Sequence, residues 1–505
     1  MKPSEYMNVI NEIELRFNVA DWEIAGIKVW PYLRINIATN LQMERKHPSV
    51  PSKFKMFYRL MLVSYEQKKY ELSFKSQNKQ GKNAEVLFLS HSVFRTKVDS
   101  IWYDRFCDPI REELNKESIS NYQFEYVPRR QFRGNKTFPS RYIQSKIDFI
   151  KFKYEFKKIS SDEAFRREYS LLEHFLEEKS IEYSLIPYER LLKDVMIIRE
   201  LSMNFMEWLE KLGTKIGIAI YYYGIEGFAF NLACKKLGIE SIDIQHGVQG
   251  EFHRAYGRWE NIPEDGYELL PSTFWTWDEA EKDCINNWSE KTSYHKVFNG
   301  GNPWLEIWKN PNHPITEYYS NKVKNFINSD EKKINILVTL QKERQIPKLL
   351  LETINKSSRE WKWFIRLHPA MMGQYEEILS TFKQYNGKIE IEQATKLPLY
   401  SLLGHMNIHV TEWSSTVIEA DAFDIPSVII HPFGRELFQN YIQNGGSEYI
   451  DTSKQFVEVI NRLSCMTRIE SEYIDEVNKG IAWIKEEIKS LKSDVRSKKG
   501  EVTYL

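Results

Sequence analysis

The chain has 505 residues, enough for two or three domains with ordinary cores, and its 70 basic and 70 acidic residues cancel. That balance excludes the strongly basic character of a general nucleic-acid binder. The four cysteines, Cys107, Cys234, Cys284 and Cys465, lie far apart with no CxxC spacing, which argues against a disulfide framework or zinc cluster and suits a reducing cytoplasm.

The first residues, MKPSEYMNVINEIELRF, are charged and lack the apolar core of a signal peptide. No later stretch approaches the roughly 20 apolar residues of a membrane-spanning helix. A soluble intracellular chain is therefore expected. Residues 1–83 read as a helical N-terminal extension from the apolar spacing in YMNVINEIELRF and KVWPYLRINIATNLQM. Within and beyond it charge is uneven: residues 44–82 hold ten Lys or Arg against three acids, and residues 126–158 hold ten against two. Phe54, Phe57, Tyr58, Phe149, Phe152 and Phe156 are interleaved with these bases. Such a stretch is either a solvated helix face or an amphipathic surface for anionic lipid.

"AEVLFLSHSVFR" opens the first strand, and "IGIAIYYYG", the helix "EGFAFNLACKKLG" and the strand "ESIDIQHG" continue an alternation that signals a parallel α/β sheet. These place a first Rossmann-like domain over 84–310, with a Trp- and Pro-rich insert at 256–310 ending in the loop "VFNGGNPW". A second such domain spans 325–455 through "INILVTLQ", "WKWFIRLHP", "GKIEIEQ", "MNIHVTE" and "PSVIIHP". Residues 456–505, rich in Lys and Glu with apolar spacing, read as C-terminal helices. The expected fold class is thus α/β: two doubly wound Rossmann-type domains facing a cleft, with helical extensions at both ends.

In open α/β sheets ligands bind beyond the carboxyl ends of strands, so the polar residues there are the candidates. His91 follows the first strand, and Gln245 and His246 follow "SIDI". Gln341 and Arg344 follow "ILVTL", Arg366 and His368 bracket the end of "WFIRLHP", and Ser414, Ser415 and Thr416 follow "NIHVTEW". Hydroxyls where a helix begins can cap it. The same helix start, with its free N–H groups and the positive end of its dipole, can seat a phosphate. Capping needs one hydroxyl and three are present, so with two arginines and a histidine nearby the pattern describes an anion site, most simply a nucleotide phosphate. Glu412 stands beside it, and Glu419, further along the helix, is placed to accept ribose hydroxyls. No DxD pair, HExxH or spaced Cys/His quartet occurs, and neither a phosphate loop GxxxxGK[ST] nor a GxSxG turn is present; no metal ligand set is expected.

"QHG" after a strand of the first domain, "R-x-HP" at a strand end and "TEWSSTVIE" across a strand, turn and helix resemble the GT-B glycosyltransferases. The likeness is greatest to the bacterial surface-polysaccharide group of capsule, O-antigen and teichoic-acid type. The stretch "WEIAGIKVWPYLR" is similar to the N-terminal segment of capsule biosynthesis proteins. The resemblance implies a donor bound by the second domain, its phosphate touched by His368, Ser414 and Ser415; Gln341, Arg344, Arg366, Glu412, Thr416 and Glu419 are the neighbouring residues that their positions make candidates for the same donor site. It implies an acceptor bound by the first domain, with His246 as the base; because an attacking hydroxyl must lose its proton to a nearby group, Glu251, Asp104 and His91 are the further candidates behind it. It further implies metal-independent transfer with no cofactor beyond the nucleotide-sugar substrate, onto a glycan or lipid-linked glycan at the inner face of the cell membrane. A CMP-activated acid sugar is the favoured donor. A CDP-polyol phosphotransferase, a UDP- or dTDP-hexose donor and a non-catalytic glycan-binding scaffold stand as alternatives. Arg366 where relatives carry Lys, and Glu412 where Asp is commoner, weaken any choice among donors. The UDP-GlcNAc 2-epimerases share the HP and serine motifs; the aromatic insert, taken as an acceptor surface, argues against epimerisation.

Overall fold

The computed structural model describes residues 3–43, 52–73, 83–127, 132–247, 249–327, 334–341, 345–385, 388–464 and 476–501. The chain divides into two compact units, Met1–Trp304 with Asp475–Leu505, and Leu305–Ile474.

The first unit is built on seven parallel strands: β1 (Val86–His91), β2 (Asn121–Tyr126), β3 (Arg141–Tyr142), β4 (Ile216–Ala219), β5 (Glu240–Ile244), β6 (Thr273–Thr276) and β7 (Lys296–Asn299). Their order across the sheet is β7-β6-β5-β4-β1-β2-β3. The second unit has six parallel strands: β8 (Ile334–Thr339), β9 (Trp361–Arg366), β10 (Ile389–Glu390), β11 (Ile408–Thr411), β12 (Ser427–Ile429) and β13 (Ser447–Tyr449). Their order is β10-β9-β8-β11-β12-β13. In their own numbering the first sheet runs 3-2-1-4-5-6-7 and the second 3-2-1-4-5-6, the doubly wound Rossmann order, with one added edge strand in the first. These are the two doubly wound Rossmann-type domains expected from the sequence.

The apolar runs form central strands because both faces of a parallel sheet are covered. Val86 to Leu89 is buried throughout. On one face, β1 and β2 share a core with Trp22, Trp30 and Leu33 of the N-terminal segment, so that segment, expected as an extension, is part of the first unit. On the other face Val477, Ile481, Ile484 and Ile488 of the terminal helix Glu476–Glu501 pack with Val86, Phe88 and Trp275. The helix before it, Ser453–Ser464, instead packs Phe456 and Ile460 into the core of the second unit.

The aromatic insert behaves differently from its expectation. It carries β6, the helix Glu279–Ser289 and β7, and so extends the sheet. Trp259, Trp275 and Trp288 are all core residues. These three rings serve packing, so they add nothing to an acceptor surface and do not weigh against epimerisation.

Candidate functional site

Register brings the polar strand ends of each sheet to one edge. In the second sheet Thr339 stands opposite both Arg366 and Thr411, and Thr411 stands opposite Ile429. The residues that leave β9, β8, β11 and β12 thus emerge side by side, around the point between β8 and β11 where the strand order reverses. Beneath that edge lies His409, fully buried, with Thr339 Oγ1 at 2.8 Å from Nε2 and Ser427 Oγ at 2.9 Å from Nδ1. Burial lowers its pKa to about 3, so the ring is neutral and ties three strands together.

At the edge itself, Thr411 Oγ1 accepts from Ser414 N at 3.1 Å, and the Gln341 amide reaches the same hydroxyl at 3.5 Å. Ser414 Oγ accepts from Thr416 N at 3.3 Å and lies 2.9 Å from Thr416 Oγ1. Ser414 therefore takes the capping work for the short helix Thr416–Ala422, and Ser415, exposed, makes no side-chain cap bond. One hydroxyl of the triplet thus holds the turn, and the next faces solvent at the helix start.

His368 Nδ1 accepts from Ala370 N at 3.1 Å, which fixes the neutral ring as its Nε2–H tautomer and presents that donor outward from an exposed residue. His431, at the end of β12, repeats the device: its Nδ1 accepts from Phe433 N at 3.1 Å, and its ring stands 4.5 Å from that of Trp413. His431 was not among the residues expected at the site, although "IIHP" carries the same His-Pro signal as "RLHP". Arg366 is placed otherwise than a free cation would be. Its Nη1 donates to the carbonyls of Ala394 and Leu397 at 2.7 and 2.6 Å, and burial lowers its pKa to about 10. Glu412 and Glu419 are half-buried beside the turn. Arg344 lies outside the described residues.

In the first sheet Leu89 of β1 is level with Ala219 of β4, and Ala219 with Asp243 of β5. His91, Tyr221 and Gln245, each two residues on, leave the sheet at one level around its own reversal point, between β1 and β4. Tyr221 has φ +87°, a conformation strained for a bulky side chain and concentrated at functional sites. It turns the chain into the helix Ile225–Leu237, whose Gly227 lies so close to the Tyr222 carbonyl that no Cβ fits.

Three rings surround His246 here. Tyr223 stacks on it and its hydroxyl lies 3.2 Å from Nε2, while Phe94 and Tyr221 meet it edge-on at 5.5 and 5.7 Å. His91 packs on the Phe94 ring, 6.2 Å away, rather than on His246 itself. Burial lowers the His246 pKa to about 4, with the Ile244 backbone opposing and Arg105 assisting. Burial likewise lowers that of His91, against the pull of Glu226 and Glu125. Glu226 opens the following helix and pairs with Lys151 at 2.7 Å; burial would raise its pKa, but Lys151 outweighs it and holds the carboxylate low.

Asp104 and Glu251 do not join this cluster. Asp104 is fully buried, accepting from Ser90 Oγ and Gln123 Nε2 at 2.8 and 2.9 Å and from the Phe106 and Cys107 N–H groups. Its lone pairs are spent within the fold. Glu251 is exposed and ion-paired with Arg258. Gln245 is also internal, its amide bonded to Trp277 N and the Gly247 carbonyl.

Among the described residues no group of three or more His, Cys, Asp or Glu is placed to hold a metal ion, and no helix is long and apolar enough to cross a membrane.

No family model and no curated protein matches this sequence. Solved structures do resemble the chain. UDP-GlcNAc 2-epimerase from Methanocaldococcus jannaschii is 14% identical with a TM-score of 0.49, over 79% of this chain and 99% of that one. The Neisseria meningitidis UDP-GlcNAc 2-epimerase bound to UDP-GlcNAc is 14% identical with a TM-score of 0.46, over 80% and 99%. MurG of Acinetobacter baumannii is 10% identical with a TM-score of 0.42, over 80% and 99%.

Proposed function

We propose that the chain is a metal-independent glycosyltransferase. In this proposal it moves a sugar or sugar-like unit from a nucleotide-activated donor to a growing bacterial surface polysaccharide, working in the cytoplasm at the inner face of the membrane. The observation that carries the proposal is the row of outward donors at the reversal point of the second sheet: His368 and His431 with their Nε2–H groups, and Ser415 at a helix start between them. Imidazole N–H groups, a hydroxyl and helix N–H groups suit the phosphate of a nucleotide, and they gain strength as the leaving nucleotide gains charge. In the first unit His246 is neutral at physiological pH and so is in the form that accepts a proton from an acceptor hydroxyl, with Tyr223 holding its ring. His91 and Glu226 stand at the same sheet edge to bind that acceptor. A CMP-activated acid sugar is the favoured donor, and a CDP-polyol is the alternative.

Epimerisation of a nucleotide sugar is the second reading, and the buried aromatics of the 256–310 segment favour keeping it, since they add nothing to an acceptor surface.

Thermal stabilisation by CMP, CDP, UMP, UDP, dTDP and GDP tests the site. A specific ligand at 100 times its Kd adds about 2.7 kcal/mol. CMP or CDP is expected to give the largest shift. UDP giving the largest shift, with interconversion of a UDP-sugar and no transfer, moves epimerisation ahead. No shift with any nucleotide leaves the seat as a helix cap and rejects both readings in favour of a scaffold.

A further inference from the structure

The two base-rich stretches come together in space. The helix Lys53–Ser73 lies along the helix Gln144–Glu155. One side of the first helix is fixed: Val63, Gln67 and Tyr70 are buried, Gln67 donates to the Tyr142 carbonyl at 3.0 Å and accepts from Ser145 N at 3.1 Å. The opposite side carries a second apolar stripe that nothing among the described residues covers. Phe54, Tyr58, Met61, Tyr65 and Leu72 recur at helical spacing and are all exposed, Phe54 by 77% and Tyr65 by 65%. The stripe continues onto the neighbouring helix through Phe57, whose ring lies 6.1 Å from Phe152, and Phe152 meets Phe156 at 5.7 Å. Lys55, Lys68, Lys69 and Lys153 are exposed around it, and Lys53 lies over the Phe156 ring at 5.0 Å.

We propose that this face docks the protein on an anionic lipid bilayer, the rings entering the headgroup boundary and the lysines meeting lipid phosphates. The charge and the residue types choose the occupant. Aromatic rings on one face with lysines along its borders are the composition of helices that lie in a membrane interface. Protein–protein interfaces, by contrast, are depleted in lysine. Because the other side of the helix is anchored to the body, the stripe cannot be hidden by the helix turning over. The inference takes from the proposed function only its purpose, which is to bring the catalyst to a lipid-linked acceptor; its measurement involves no nucleotide.

The full chain is sedimented at low salt with phosphatidylcholine vesicles, with and without phosphatidylglycerol. Binding is expected only with the anionic lipid and is lost at high salt. Lys68→Ala and Lys69→Ala are each expected to weaken it about fivefold, corresponding to about 1 kcal/mol per base near an anionic surface. Tyr58→Ser with Tyr65→Ser is expected to weaken it about tenfold or more. Both side chains are exposed, so thermal stability and the response to nucleotides stay as in the unaltered chain. No sedimentation with anionic vesicles at low salt overturns the proposal, as does binding that the paired tyrosine variant leaves unchanged. If the unaltered chain self-associates and that variant is monomeric without loss of vesicle binding, the occupant is a second copy and the bilayer is rejected.

Discussion

At the scale of single residues, the two histidines at the edge of the second sheet share one geometry, and that makes a clean test possible. Each uses Nδ1 to cap its own turn, which leaves Nε2 as the nitrogen for another partner; His368 is exposed, and His431 is half-buried against Trp413. Asparagine can take over the capping acceptor through its side-chain oxygen. His431→Asn is therefore expected to leave the melting temperature nearly unchanged and to weaken nucleotide binding about tenfold, the lower range for losing a hydrogen bond to a charged group. Titration of both proteins with the nucleotide that stabilises best measures this, and equal affinities remove His431 from the seat. Much of this edge was legible in the sequence, because a His-Pro step after an apolar run marks a strand end whatever lies around it. What was not legible is where a polar side chain spends its bonds. Asp104 looks as available in sequence as His91, yet its partners Ser90 and Gln123 come from two neighbouring strands, and only folding brings them in. Arg366 is similar: its carbonyl partners stand about thirty residues downstream.

At the scale of elements, the strongly apolar strands β1, β4, β5, β8, β9, β11 and β12 were readable as such, whereas β2, "NYQFEY", was not. Its Gln123 and Glu125 look like solvent-facing positions but are buried, Glu125 being held by Arg95 at 2.9 Å and Lys136 at 3.1 Å. Against the burial that would raise it, Arg95 and Lys136 bring the Glu125 pKa down to about 2. The terminal helix was readable as a helix, but its home was not, because apolar spacing names a face without naming the partner. Gly480 decides the matter by sign. In an uncovered helix, Gly→Ala stabilises by roughly 0.5–1 kcal/mol. Here a methyl at Gly480 would run into the buried indole of Trp275. Gly480→Ala is accordingly expected to destabilise the protein by about 1–3 kcal/mol, the usual range for overpacking. Chemical denaturation measures it, and a stabilised variant would show that this helix does not cover the first sheet.

At the scale of the whole molecule, the histidines set the response to acid. Sequence alone offers eleven of them with no sign of which are buried. In the structure, burial lowers the pKa of His246 and His295 to about 4 and that of His253 and His409 to about 3, from an ordinary 6.5. Below pH 6.5 the unfolded chain takes up protons at these four sites, while the folded chain does not until near pH 4. Stability held at neutral pH is therefore lost as the pH falls through that window. Two buried carboxyls act in the opposite direction. Burial raises Asp243 to about 8, against bonds from Tyr256 and the Tyr222 and Tyr221 backbone. Burial also raises Asp108 to about 7, with Arg95 opposing and Asp104 assisting. Both keep a proton in the folded state that the unfolded state has released near pH 5. Among these six large shifts, four sites against two give an uptake of about two protons on unfolding at pH 5, a contribution of roughly 2–3 kcal/mol per pH unit from these groups. The melting temperature should thus fall steadily from pH 6.5 to pH 4.5. Calorimetry in buffers of different ionisation enthalpy should register the proton uptake directly. A melting temperature that stays level or rises toward pH 4.5 would mean that these histidines are not held neutral in the folded protein, and with it the neutral, proton-accepting state assigned to His246 would fall.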